Sequence, residues 1–226
     1  MALSTLFILI GASLAVTLVS AWPAGRKLRN PLLLTFSILA IFWLQPALPI
    51  RGLDFWLPVA TLAITIVGWV LTSPPQERKT RATLFSGGLI LAVVLAVSLT
   101  RLISINGILT PSRPPQTWKV LAILSALAAL IFLLYIYTQY KNTQSVKPGV
   151  LVGVAICALL AAFIVLKLPA LTTLTSELLR SLSGQSRELA SALDLRWLGF
   201  SYIAFRLIHT LRDRQSGRLP AMTLAE

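Results

Sequence analysis

Acidic residues are scarce in this chain: seven Asp and Glu stand against twenty Lys and Arg among 226 residues, and charged side chains make up only 12%. That is about half the ~25% of a soluble domain, too few to clothe a globular surface in hydrated groups. Cysteine is represented once, by Cys157 inside an apolar run, which excludes an internal disulfide and any cysteine-built metal site. Histidine also occurs once, at His209, with no second His, Cys or upstream carboxylate at metal-ligand spacing, so no metal is expected. There is no Gly-x-Ser-x-Gly elbow, no glycine-rich phosphate loop and no pair of carboxylates placed as an acid/base couple, and no cofactor is expected.

What is abundant is apolar: 56% of the residues, which excludes a disordered chain. A net charge of +13 would suggest nucleic acid in a soluble protein. Here the basic residues punctuate long apolar runs, so the expected partner is membrane lipid with anionic headgroups and not nucleic acid.

A membrane helix needs about 20 mostly apolar residues, and about seven such runs can be traced. The first, Ala2 to Trp22, carries no charge and stops at Pro23 and the cluster Arg26, Lys27, Arg29. With no Lys or Arg ahead of it, it reads as a retained span and not as a cleavable signal. The second, Pro31 to Leu44, is short and ends at Gln45-Pro46; the third, Phe55 to Thr72, closes at Ser73-Pro74-Pro75 ahead of Arg78, Lys79 and Arg81. The fourth, Leu84 to Ile105, holds Arg101 near its far end, where a long stem can carry the charge to the interface. A proline-rich loop, Asn106 to Thr117, follows.

The fifth run, Trp118 to Tyr140, ends in an aromatic belt of Tyr135, Tyr137 and Tyr140, and the sixth, Gly149 to Leu166, contains Gly149 and Gly153 at a spacing that lets helices approach. From Leu168 to Leu193 the pattern becomes amphipathic, with Leu171, Leu174, Leu178 and Leu182 on one face, as suits the interface or a bundle groove; a solvated loop is the alternative. The seventh run is Leu195 to Leu211. The expected fold is an all-α polytopic membrane bundle, one domain over 1–226, with about seven transmembrane helices and an amphipathic connecting segment at 168–193.

Charge between the runs predicts orientation. One alternating set of connections holds Arg26, Lys27, Arg29, Arg78, Lys79, Arg81, Lys141, Lys147, Arg212, Arg214 and Arg218, whereas the short loops of the other hold only Arg51, Arg101, Arg113 and Lys119. The N-terminus is therefore expected outside and the C-terminus in the cytoplasm.

The last run carries the most unusual residues. On a helix, with Tyr202 at zero, Arg206 falls at about 40°, His209 at about −20° and Asp213 at about 20°. A charge at mid-membrane costs about 2.5–3.5 kcal/mol on insertion scales, so this stripe is expected to face protein, water or substrate. Plainer roles also fit: Arg206 can snorkel, Asp213 can pair with a neighbouring Arg, and His209 can be a packed, hydrogen-bonded residue.

The stretch Leu198-Gly199-Phe200-Ser201-Tyr202-Ile203-Ala204-Phe205-Arg206, followed by Asp213, resembles the Gly-x-Ser-[Phe/Tyr]-x-x-Phe-[Arg/Gln/Lys] helix of the membrane-bound O-acyltransferase superfamily, which includes bacterial alginate O-acetylases and D-alanyl transfer proteins of teichoic acid. The resemblance covers about seventeen residues. It implies transfer of an acyl group from a thioester donor to a hydroxyl acceptor, in a bacterial cell membrane, with Ser201, Tyr202, Arg206, His209 and Asp213 lining the substrate tunnel. The family's essential His lies downstream of this motif, so no residue here is assigned as catalytic. By the same resemblance the chain is expected to be the N-terminal portion of an acyltransferase, incomplete for catalysis, with a second polypeptide able to supply the rest. A non-catalytic polytopic protein, either a small transporter or an assembly partner, is the alternative.

Overall fold

The structure is a computed structural model that describes residues 10, 11, 14, 16–18, 28–102, 114–143, 149–218 and 223–225. All regular elements among these are helical: α1 (Arg29–Leu44), α2 (Leu53–Thr72), a single turn α3 (Pro75–Arg78), α4 (Arg81–Leu99), α5 (Thr117–Thr143), α6 (Gly149–Lys167), α7 (Pro169–Leu182), a 3-10 turn (Ala192–Asp194) and α8 (Phe200–Gln215). Helix ends fall where local chemistry demands. Ser73-Pro74-Pro75 stops α2, Pro169 opens α7 at its first position, and the Thr80 hydroxyl accepts the Thr83 N–H to cap α4.

Among the described residues four helices are long and apolar enough to cross a membrane: Leu53–Thr72, Arg81–Leu99, Thr117–Thr138 within α5, and Gly149–Lys167. By length and composition these mark the chain as a membrane protein. The second apolar run forms α1, which at 16 residues is apolar but shorter. The first run lies largely outside the described residues, as do most of the proline-rich loop, Arg26, Lys27, Arg113 and Lys147.

Two of the expected spans are reshaped. Helix α4 ends at Leu99 rather than continuing to Ile105, and Arg101 lies beyond it, donating from Nη1 to the Pro114 carbonyl at 3.1 Å. The seventh run does not become helical until Phe200, and its helix then continues to Gln215 through Arg212, Asp213 and Arg214. Among the described residues nothing approaches Gly153 of α6 closely, since a Cβ there meets nothing within 4 Å.

Helix α2 is the hub. On one side Phe55 and Val59 join Ile38 and Phe42 of α1, Val93, Val94 and Val97 of α4 and Val120 of α5, with the Phe42 and Phe55 rings tilted at 5.3 Å. On the other, Ile64 and Leu71 meet Val152 and Leu159 of α6 and Leu207, Ile208 and Leu211 of α8. Helices α5 and α6 turn large side chains such as Leu130, Phe132, Val154 and Ile164 outward. Against lipid these cost nothing, because an acyl chain is as apolar as leucine.

Helix α7 shows the same logic in its sharpest form. Thr172, Ser176 and Arg180, at i, i+4 and i+8, are buried, while Leu174, Leu178 and Leu182 are exposed. For a helix seated in water that is inside out. At a membrane surface the leucine face meets hydrocarbon and the polar face meets protein, which agrees with the amphipathic pattern.

The connection between α1 and α2 needs a left-handed residue, and Gly52 provides it at φ 71°. A Cβ there would also stand 3.0 Å from Pro115 Cγ. Gly52→Ala is therefore expected to destabilise the protein by more than the about 1–2 kcal/mol that a left-handed alanine costs by itself. Gly217→Ala, at φ 72° with nothing within 4 Å, isolates the conformational part. Thermal unfolding of the two variants in detergent checks the order, and equal shifts would contradict it.

Candidate functional site

The sequence motif is carried by α8, and the way that helix begins explains the glycine in it. Gly199 is the N-cap at φ 71° and ψ −2°, with no side-chain cap. A left-handed residue turns the extended backbone into the helix axis, and Gly takes that conformation without steric cost. Trp197, just before it, donates from Nε1 to the Thr61 hydroxyl of α2 at 2.9 Å and packs its tilted ring against Phe200 with centroids 4.4 Å apart. Thr61 lies about 12 Å along α2 from Leu53 at 1.5 Å per residue. Non-helical backbone thus penetrates alongside a membrane-spanning helix.

Such backbone is tolerated at that depth only if its polar groups are satisfied within the protein. The buried Gln45 side chain does this: its Nε2 donates to the Arg196 carbonyl at 2.8 Å and its Oε1 accepts the Leu198 N–H at 3.3 Å. One amide offers a donor and an acceptor, the same pair a neighbouring backbone would present. Gln185 performs the reciprocal task, donating to the Pro49 carbonyl and accepting the Arg51 N–H, both at 3.0 Å. The two glutamines tie the α1–α2 loop to the segment that launches α8.

Beneath them lies a buried ionic knot. Asp194 Oδ2 accepts from Arg180 Nε and from the Ser176 hydroxyl, each at 2.6 Å, and from the Ser191 N–H at 3.3 Å. Burial pushes the Asp194 carboxyl upward, but the hydrogen bonds from Arg180, Ser176 and Ser191, together with the Arg180 charge, outweigh it and hold the group below its ordinary value.

Past Gly199, α8 runs parallel to α2, since Gly68 faces Leu207 at 3.5 Å and Leu71 shares a cluster with Leu211. Helix α6 runs the other way, with Phe163 edge-on to Phe205 at 5.4 Å. Phe200, Ala204 and Leu211 form the buried face of α8. Tyr202, Arg206 and His209 lie on the exposed face, Ser201 and Asp213 at its margins. The structure brings Tyr202 and Arg206 together, with Arg206 Nη1 donating to the Tyr202 hydroxyl at 2.8 Å and its guanidinium over the ring at 6.0 Å. Tyr202 is 66% exposed, so no described helix packs over that part of the stripe. The helices pack on the opposite side.

Gln45, Gln185, Ser176, Arg180 and Asp194 were not singled out by pattern. Their signal is faint: an amide beside Pro46 at the end of an apolar run, and one of seven acids in a basic chain. Among the described residues no three His, Cys, Asp or Glu side chains gather where a metal could sit. No family model matches the chain, and no curated protein or solved structure matches it either.

Two outcomes follow from the geometry. Gln45→Ala removes the partner of the part-buried Arg196 carbonyl and Leu198 N–H and is expected to cost about 1–3 kcal/mol, at about 0.5–1.5 kcal/mol per lost hydrogen bond. Hydrogen exchange read at 196–203 should accelerate while the middle of α2 stays protected; unchanged exchange at 196–203 would contradict the clamp. Asp194→Asn leaves Arg180 buried without its counter-ion and is expected to cost about 3–5 kcal/mol. Because the folded-state carboxyl is depressed, its stabilisation is complete above the ordinary carboxylate range and is lost as pH falls through the lowered value. Acid unfolding of the parent should therefore steepen below about pH 4, and Asp194→Asn should flatten that limb.

Proposed function

We propose that this chain is the N-terminal part of a membrane-bound O-acyltransferase, and that the open polar face of α8 borders the path along which a thioester donor and a hydroxyl acceptor meet. The observation that carries the reading is α8 itself. The helix that bears the family-like motif enters through a left-handed glycine, docks its apolar face on α2 and α6, and leaves Tyr202, Arg206 and His209 exposed. Arg206 lies level with the C-terminal half of the α2 span, and at about 2.5–3.5 kcal/mol for a charge deep in hydrocarbon such a face is poorly suited to bare lipid. Substrate, water or a further part of the protein over it removes that cost.

The chemistry available on this face fits an acyl carbonyl. The Tyr202 hydroxyl and the guanidinium of Arg206 are hydrogen-bond donors, and their mutual contact holds both in place before a ligand arrives. Ser201 and Asp213 border the same surface. No residue of this chain is assigned as the base that would deprotonate the acceptor. In the proposed arrangement the first run, α1 and α8 complete a set of about seven membrane-embedded segments.

The proposed orientation has the N-terminus outside and the C-terminus in the cytoplasm of a bacterial cell membrane. It is supported by the gathering of Arg78, Lys79 and Arg81, which follow the end of α2, with Arg212, Arg214 and Arg218 at the parallel end of α8.

Photolabelling tests the proposal. A long-chain acyl-coenzyme A bearing a diazirine in its acyl chain is expected to mark the peptide 198–212 in membranes containing the chain, and excess unlabelled thioester should suppress the mark. Arg206→Gln should weaken the labelling by about tenfold to a hundredfold, the equivalent of losing a charge-assisted hydrogen bond worth about 1.5–3 kcal/mol. A label confined to the outward faces of α5 and α6, or one that unlabelled thioester cannot displace, would overturn it.

A further inference from the structure

The turn between α2 and α4 concentrates charge of one sign. Residues 75–81 read Pro-Gln-Glu-Arg-Lys-Thr-Arg, three cations against one carboxylate. The turn is also rigid. Pro75 opens α3 at its first position, and the Thr83 hydroxyl of α4 donates back to the Glu77 carbonyl at 2.9 Å. Arg78 is pinned on both sides: its Nε donates to the Ser73 carbonyl at 2.9 Å and its Nη1 to the Thr138 hydroxyl of α5 at 2.7 Å, with the guanidinium over the Tyr135 ring at 6.0 Å.

These contacts orient Arg78 without neutralising it. Both acceptors are neutral oxygens, and a guanidinium carries five N–H donors, so three remain after the two bonds are made. Desolvation draws the half-buried group below its ordinary value, and Tyr135, not a carboxylate, is what acts against that. Glu77 forms no ion pair among the described residues; Lys79 and Arg81 are exposed and form none either. One turn thus holds three cations, the first of them fixed in orientation, with no described anion paired to any.

The place of the turn identifies the anion that suits it. By length and composition α2 and α4 both cross the membrane, so the turn that joins them lies at the bilayer surface. One turn further into α4, Leu84 and Phe85 are exposed, and on α5 so are Phe132 and Leu133, one to two turns before Thr138. Cations at the headgroup level with bare apolar side chains beneath them match a phosphate carried on acyl chains; a soluble anion would leave the apolar part uncovered. The planar fork of Arg gives two parallel hydrogen bonds to phosphate oxygens, and Lys and Arg at the surface add attraction to anionic lipid.

We propose that the α2–α4 turn is a binding site for an anionic phospholipid, its phosphate held by Arg78 and flanked by Lys79 and Arg81, its acyl chains lying over Leu84 and Phe85. The site uses none of the residues of the acyl-transfer reading and stands independently of it. Native mass spectrometry of the full chain in an uncharged detergent is the test, with phosphatidylglycerol, phosphatidylcholine and glycerol 3-phosphate as separate probes. The parent should retain one phosphatidylglycerol, hold phosphatidylcholine more weakly, and keep its lipid against an equal concentration of glycerol 3-phosphate. Lys79→Gln/Arg81→Gln, which preserves both Arg78 hydrogen bonds, should bind phosphatidylglycerol about thirtyfold more weakly while unfolding at the parent's temperature in the absence of lipid. Arg78→Lys, which keeps the charge without the fork, should lose at least about tenfold. Arg212→Gln/Arg218→Gln removes the same number of exposed charges from the end of α8 and the residues after it and should bind as the parent does. Unchanged binding in Lys79→Gln/Arg81→Gln or in Arg78→Lys, an equal loss in Arg212→Gln/Arg218→Gln, or equal affinity for phosphatidylcholine would overturn the proposal. Displacement by glycerol 3-phosphate would reassign the turn to soluble phosphates and overturn the lipid assignment.

Discussion

A polypeptide that leaves helical geometry beside hydrocarbon must find partners for its peptide groups within itself, because no water is there to supply them. In this protein that constraint falls on the few residues between Asp194 and Phe200, where the chain descends along α2 in irregular form before α8 begins. The Gln45 amide meets it by presenting a donor to Arg196 and an acceptor to Leu198. The position of α8, and so of every side chain on it, follows from this clamp and from the left-handed turn at Gly199.

The surrounding polar groups form a graded support. Gln185 holds the α1–α2 loop from the opposite side, and the Asp194–Arg180–Ser176 knot fixes the 3-10 turn against α7. A buried ion pair is weak evidence for net stability, since desolvation offsets most of its attraction. Its consequence here is geometric. An Asp with three hydrogen-bond donors arranged about one oxygen admits few alternative packings, so the irregular segment has one way to lie. The leucines of α7 point outward because its polar face is used for this purpose, and a lipid surface makes the inversion favourable.

Helix α2 connects the two halves of the bundle. Its one side closes the core with α1, α4 and α5, and its other side receives α6 and α8, with Gly68 opposite Leu207. The acyl-transfer reading draws on one feature of α8, that it is amphipathic and that its apolar face is the one occupied by α2 and α6.

Much of the fold could be read along the chain. Sustained apolar runs bounded by proline and charge located α2, α5 and α6 to within a few residues, and α4 apart from its C-terminal end, because crossing hydrocarbon requires about twenty apolar residues and composition shows this directly. The stripe of Tyr202, Arg206 and His209 was also legible, since helical periodicity alone puts those residues on one face. Pattern could not say which way that face would turn, because periodicity defines faces but not their neighbours. Nor could it reveal Gln45 or Asp194, whose roles come from partners far away in the chain: Gln45 meets Arg196 and Leu198 only after α1 and α2 have packed and the connection after α7 has folded back. Local composition, then, determined an apolar, helical, membrane-directed protein with one polar helix near its end. The tertiary structure alone decided where that helix starts and which face it leaves open, because those choices depend on satisfying buried peptide groups through contacts that no local pattern encodes.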